Sequence, residues 1–350
     1  MKKITRKKLR IALAGAGNIA QNAHLPVYAD RDDVEVVALA DLSLPRAQEA
    51  AAKFGVKSAF ASVQEMVDNT EFDAMDICVW NASHADCAIA AARAGKAILC
   101  EKPMALNLEH ALRMKAEVDK AGVTFMMAMP SRYTTEAQLL MKMVNQGKLG
   151  DIYYAKTSSI RRRGTPLGWF TDTRKSGGGP VIDIGVHCID RTWFLMGRPK
   201  PVRVSAMSSN KIGDYKTQGV DRWIALDSDV TAFDTEDSAA GVIHFENGAC
   251  MLFEVSWALN AEPLEWTQVC GSKAGATLNP LHIFGEDMNH LTDNELTTIP
   301  VNPFAVEIGH FIECLRAGKT PESTLEDGLA VQRMLEGIYK SAQSGKEVAI

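Results

Sequence analysis

The 350 residues carry 38 Lys and Arg against 43 Asp and Glu, a net charge of −5, with 46% hydrophobic and 23% charged residues. That length suits two domains rather than one small core, and that composition excludes a disordered or fibrous chain. The acidic balance leaves no electrostatic case for a nucleic-acid partner.

In chain order, the basic run Lys2, Lys3, Arg6, Lys7, Lys8 and Arg10 reads as a solvated tail ahead of the first strand. The apolar run Ile11–Ala16 is too short for a secretory core, and nothing approaches the roughly 20 apolar residues of a membrane span. Up to about residue 130, strands are expected at 10–14, 34–40, 74–79, 97–100 and 124–128. Helices are expected at 19–29, 45–54, 84–94 and 108–121, with Gly55, Gly95 and Gly122 ending three of them. Such alternation implies a parallel sheet with helices on both faces. A helix over 134–145 follows, and then β-rich runs at 152–160, 202–207, 238–245, 249–257 and 266–270, with a hairpin turn at Glu246-Asn247-Gly248. Helices return at 304–317 and 325–344. The fold class is α/β: a doubly wound domain over 1–130, then an α+β domain over 131–350 on a largely antiparallel sheet, with its C-terminal helices able to pack back on the first domain. Seven cysteines form an odd set without a CxxC pair. They read as buried free thiols in a reducing cytoplasm, not as disulfides or zinc ligands, so no metal is expected.

Gly15-Ala16-Gly17-Asn18-Ile19-Ala20 follows the first strand and opens a helix, which is the GxGxxA form of the dinucleotide fingerprint. Gly15 permits the turn, Gly17 lets a pyrophosphate approach the backbone, and Ala20 allows close helix–strand packing. Asn18 and Ile19 complete the loop. Asp41, at the end of the second strand, is placed to accept hydrogen bonds from the adenosine ribose, and its charge repels a 2′-phosphate. NAD is therefore preferred over NADP, with Arg46 the nearby residue that weakens the preference.

Two further stretches look chemical. Glu101-Lys102-Pro103 closes a strand at the carboxyl end where the cofactor's reactive ring should lie. A lysine there can hold a substrate hydroxyl, although a solvated lysine is the bland alternative. In Gly177-Gly178-Gly179-Pro180-Val181-Ile182-Asp183-Ile184-Gly185-Val186-His187, a helix from Val181 would put Asp183 and His187 on one face. Imidazole chemistry suits taking an alcohol proton, whereas an isolated pair could equally be a surface i,i+4 contact.

In combination, these motifs resemble the Gfo/Idh/MocA oxidoreductases, relatives of glucose–fructose oxidoreductase and inositol dehydrogenase. The resemblance also takes in Trp80-Asn81-Ala82-Ser83-His84, Ser131-Arg132-Tyr133 and the closing Gly318-Lys319-Thr320-Pro321 segment. It implies an N-terminal Rossmann domain, a C-terminal domain on a large open sheet that pairs subunits, and Lys102, Asp183 and His187 as catalytic residues. It further implies cofactor contacts from Trp80, Asn81, His84, Glu101 and Lys102. Trp80-Asn81-Ala82 departs from the Thr-Pro or Pro-Asn pair common in relatives. Hydride transfer between nicotinamide and a ring carbinol of a sugar, glycoside or inositol is the expected reaction, with C3 of a sugar ring a common position. His187 is read as the base, Asp183 as its orienting group, and Lys102 as the group that holds the same oxygen; a swap of base between Lys102 and His187 stays open. The rivals are an NAD-requiring glycosidase-like oxidation and elimination, reduction of a non-sugar, and an NAD sensor or scaffold.

Arg132, Tyr133, Arg163 and Trp169 join the catalytic three as expected substrate contacts. Arg161, Arg162 and Arg163 could meet a phosphate or carboxylate, or simply be solvated. The expected partners are a small sugar-like or polyol molecule and further copies of the chain, as a homodimer or homotetramer, with neither nucleic acid nor membrane.

Overall fold

The alternating apolar and helical runs of the first third fold into a parallel sheet in the computed structural model, which describes residues 7–225 and 233–350. Its strands are β1 (Leu9–Ala14), β2 (Val34–Ala40), β3 (Ser58–Phe60), β4 (Ala74–Ile77), β5 (Ala97–Glu101) and β6 (Phe125–Ala128). They pair in the order β3-β2-β1-β4-β5-β6, a doubly wound sheet whose order reverses beside β1. Both faces are covered, so β1, β4 and β6 are apolar over most of their length, without alternation. Gly55 and Gly122 cap their helices in the left-handed conformation, and Gly95 also has positive φ.

Residues 1–128 and 304–329 form one compact unit; 129–303 and 330–350 form the other. The returning segment is stitched to the first sheet. Ser323 donates its hydroxyl to the Met127 carbonyl at 2.6 Å, Met127 N–H donates to the Ser323 carbonyl at 3.0 Å, and Arg316 reaches the Asp33 carbonyl at 2.7 Å.

The second unit is built on nine strands. They are β7 (Ile152–Ile160), β8 (Pro201–Ser209), β9 (Ser238–Phe245), β10 (Cys250–Ser256), β11 (Leu264–Gly271), β12 (Gly275–Leu278), β13 (His282–Asp287), β14 (His290–Glu295) and β15 (Val348–Ala349). Their order is β14-β13-β12-β11-β7-β10-β9-β8-β15, antiparallel except for the β7–β10 pair. On one face Ala155, Val204, Ile243, Met251, Phe253 and Val269 are buried. The helix Val186–Leu195 covers that face: the Arg191 guanidinium donates to Thr267 and the Thr157 hydroxyl to the Cys188 carbonyl. Met207, Leu252 and Leu264 remain exposed on the other.

Several expectations need adjustment. The first helix opens as a π-turn over Ala20–His24 before Leu25–Ala29 continues as α-helix, and the helix expected at 84–94 starts at Asn81, three residues early. The short strands β3 and β12 to β15 and the helix Val63–Asn69 were not expected. Lys2, Lys3 and Arg6 lie outside the described residues. Arg10 is no part of a solvated tail, since its guanidinium pairs with Asp73 at 2.8 Å. All seven cysteines are free thiols, but Cys250 and Cys270 are only half-buried, because they alternate toward the open face of the sheet.

Candidate active site

In the first unit the chain turns sharply after β1. Gly15 has φ +93°, and a Cβ there would lie 2.3 Å from the Cys78 carbonyl oxygen, so only glycine fits. A Cβ on Gly17 would meet nothing within 4 Å, which is the open space a pyrophosphate needs beside the backbone. Ala20 is fully buried against the sheet. The buried Asp41 carboxylate accepts from Ala16 N–H and Ser43 N–H, both at 2.8 Å, and from the Arg46 guanidinium at 2.6 Å. It thus ties the glycine turn to the end of β2. These residues fit a dinucleotide.

At the end of β5, Glu101 and Pro103 are buried while Lys102 between them is half-exposed. The Lys102–Pro103 bond is cis. His84 is buried, its Nδ1 2.7 Å from the Pro103 carbonyl and its Nε2 3.1 Å from the Val79 carbonyl. Burial lowers its pKa, so a neutral ring pins the Lys102 turn to the end of β4. Glu101 joins a buried network. His24 lies 2.7 Å from Asp76 through Nδ1 and 3.0 Å from Glu101 through Nε2, and Tyr28 donates to Asp76 at 2.9 Å. Burial alone would lower the His24 pKa, yet the attraction of Asp76 raises it well above its ordinary value. The ring is therefore an imidazolium between two carboxylates. Glu101 in turn accepts from the Lys102 N–H at 3.1 Å, so this charge network lies directly beneath the lysine. His24, Asp76 and Cys78 place donor atoms within 4.8 Å of one another. Direct His24–Asp76 hydrogen-bonding contact, together with a thiol that burial keeps protonated, makes this an ion pair rather than a metal cage.

In the second unit, a π-turn over Val181–Gly185 runs into the helix Val186–Leu195. From Pro180 to Met196 every residue is buried except Asp183 and His187. A helix wrapped on all sides that opens only at a carboxylate and an imidazole presents those two groups and little else. π-turns concentrate at functional sites. The Trp257 indole donates to the Asp183 carboxylate at 3.0 Å. The helix start is held by Glu236, whose carboxylate accepts from Gly179 N–H at 3.0 Å, Val181 N–H at 3.1 Å and the Tyr339 hydroxyl at 2.9 Å. Burial raises the Glu236 pKa, against the pull of these donors. A Cβ on Gly178 would fall 2.0 Å from the Tyr339 hydroxyl and one on Gly179 2.2 Å from the Glu236 carbonyl, which explains the glycine run.

Over residues 9–129 the chain matches the oxidoreductase family with an NAD-binding Rossmann fold, and over 141–350 that family's C-terminal α/β domain. The chain belongs to the Gfo/Idh/MocA oxidoreductase family. It is 34% identical to a D-glucoside 3-dehydrogenase of Escherichia coli strain K12, covering 99% of both chains. It is 24% identical to a myo-inositol 2-dehydrogenase of Thermotoga maritima, covering 98% of both. Its fold also matches an aldose–aldose oxidoreductase from Caulobacter crescentus, solved with glycerol, with a TM-score of 0.81 and 25% identity, covering 98% of this chain and 100% of that one.

As a Gfo/Idh/MocA oxidoreductase, the chain thus combines an NAD-binding domain with a helix that exposes Asp183 and His187. Trp80 caps the helix that begins at Asn81; Trp80 is half-buried and Asn81 buried. Asn18 and Ile19 are half-buried in the glycine turn. Arg132 requires a correction as a substrate contact. It is fully buried and donates to both oxygens of Asp190, at 2.8 and 2.6 Å, beneath the Phe194 ring. A guanidinium locked in this way holds the fold together. Tyr133 is likewise buried. Arg163 bonds to Thr217 and Asn260, and Trp169 stacks on Phe170 with ring centroids 4.0 Å apart. Sequence reasoning missed Trp257, Glu236, Tyr339 and the His24–Asp76 pair. Each meets its partner across at least 50 residues of chain, and no local spacing signals such a meeting.

Proposed function

We propose that the protein oxidises a secondary ring hydroxyl of a sugar, glycoside or inositol, with NAD as acceptor. The observation that carries this reading is the wrapped helix whose only openings are Asp183 and His187. The glucoside 3-dehydrogenase, with which the chain aligns along nearly its whole length, favours a glycoside and oxidation at C3.

Bound NAD supplies a hydride acceptor. His187 takes the proton of the reacting hydroxyl, and Asp183, itself held by Trp257, orients the imidazole and stabilises its charge. Lys102, from the family's Glu-Lys-Pro motif, is assigned to hold a substrate oxygen and favour negative charge on it. Glu101 keeps the lysine turn in place through the buried His24 network. Gly15, Gly17 and the N–H groups opening the first helix would receive the pyrophosphate, and Asp41 would accept from the ribose hydroxyls. Trp80 and Asn81 would stand beside the nicotinamide. Arg163 and Trp169 belong to the substrate side.

The exposed apolar residues Met207, Leu252 and Leu264 of the open sheet face support a homodimer or homotetramer. Among the described residues no helix is long and apolar enough to cross a membrane, and the free thiols support a cytoplasmic setting.

The test is NADH formation, followed at 340 nm, with a panel of glycosides, free sugars and inositols. Turnover is expected with one class, and His187→Ala lowers kcat by about a hundred- to ten-thousandfold while NAD still binds. Undiminished turnover in His187→Ala refutes the assigned base. Absence of NAD binding refutes the whole reading.

A further inference from the structure

Where β7 ends, Arg161, Arg162 and Arg163 enter a loop lining a cavity of about 750 Å³, together with Gly164, Thr217, Val220, Asp221, Trp223 and Pro263. Three guanidinium-bearing residues against one carboxylate make this wall cationic. Two of the three arginines are turned back on the protein. Arg161 donates to the Gly164 carbonyl at 3.3 Å; Arg163 donates to the Arg162 carbonyl at 2.6 Å and to Asn260 at 2.9 Å, and packs over the Tyr215 ring. The Arg162 guanidinium makes no hydrogen bond or ion pair among the described residues, and its side chain is exposed.

The cavity is tied to the catalytic helix of the same unit. Arg163 pairs with Ala258 in an isolated antiparallel bridge, and Gly164 N–H donates to the Trp257 carbonyl at 2.7 Å. The Trp257 indole holds Asp183. One residue therefore borders both the cationic wall and the group that orients the proposed base. We propose that this cavity is an anion subsite that receives a phosphate or carboxylate carried by the substrate, with Arg162 as its principal donor. A planar guanidinium matches either group through two parallel hydrogen bonds, and Trp223 offers an apolar wall to the sugar ring. The inference rests on the sugar-oxidising reading above and narrows it to acidic sugars.

The test compares kcat/KM for glucose 6-phosphate, methyl β-glucuronide and methyl β-glucoside in the wild type, Arg162→Glu and Arg162→Lys. The expected result is a tenfold or greater preference for one acidic substrate over the neutral glucoside. That preference falls at least tenfold in Arg162→Glu and is only partly restored in Arg162→Lys, which keeps the charge but not the two-pronged fit. The phosphate and carboxylate arms tell which acid is meant. Equal use of neutral and acidic sugars by the wild type, or a preference that Arg162→Glu leaves intact, overturns the proposal. If no sugar is oxidised, the sugar reading fails separately, and calorimetry then decides the subsite. Binding of glucose 6-phosphate that Arg162→Glu abolishes upholds the subsite; no binding overturns it. Inorganic phosphate bound as tightly as the sugar phosphate assigns the cavity to a free anion and also overturns it.

Discussion

Two residues show how burial sets chemistry here. His24 is an imidazolium sealed between Asp76 and Glu101. His24→Gln leaves two buried carboxylates without their counter-charge, so unfolding free energy should fall by about 3–5 kcal/mol in urea titration. The pH dependence follows from the direction of the shift. A histidine whose folded pKa is raised contributes stability that is complete below its unfolded value of about 6.5, and that is lost as pH rises through the folded value. The wild type should therefore lose Tm on the alkaline side more steeply than His24→Gln, and parallel curves would refute the charged assignment. Asp41 is the residue proposed to set the choice of cofactor. Asp41→Ala removes the carboxylate proposed to repel a 2′-phosphate and releases Arg46 to meet one. The NAD-to-NADP ratio of kcat/KM should drop at least tenfold, and an unchanged ratio removes Asp41 from the ribose site.

Among the elements, the helix proposed to carry the base depends on a carboxylate from a distant loop. Glu236→Ala strips the acceptor from Gly179 and Val181 N–H, a loss of about 1–3 kcal/mol for buried donors left unpaired. Because the same turn carries Asp183, kcat should fall while NAD affinity holds, and a variant with normal kcat would show that the cap is not needed to place the turn. How much of this was readable follows from range. β2, β7 and β9 match their expected bounds residue for residue, because long β-branched runs between turn signals are local features. The hairpin β13–β14 was missed because it lies at a polar sheet edge, where apolar alternation is absent, and turns through Met288 and Asn289 at positive φ. The helix Val63–Asn69 did announce itself: Ser62 accepts from Glu65 N–H, an S-x-x-E capping box that could have been read. Lys102, Asp183 and His187 stand out in the sequence as the motif residues proposed to be catalytic, whereas Trp257 and Glu236 meet the Asp183 turn only through tertiary folding.

At the scale of the whole molecule, the open sheet face should mediate self-association. Replacing Leu252 and Met207 with glutamate places charge on that face, and sedimentation should show a smaller assembly with Rossmann-domain NAD binding preserved. A variant of unchanged mass would move the interface elsewhere. The split first unit carries a different lesson. Its sheet ends at Ala128, yet Ser323 and Arg316, which fasten β6 and the residue before β2, arrive almost two hundred residues later. Chains are synthesised from the amino end at about 5–20 residues per second, so on the ribosome the cofactor domain waits roughly ten seconds or more for its last pieces. Residues 129–303, the larger part of the second unit, have by then been made. A nascent chain stalled near residue 130 holds all the sequence motifs of a dinucleotide site but lacks the segment that completes its unit.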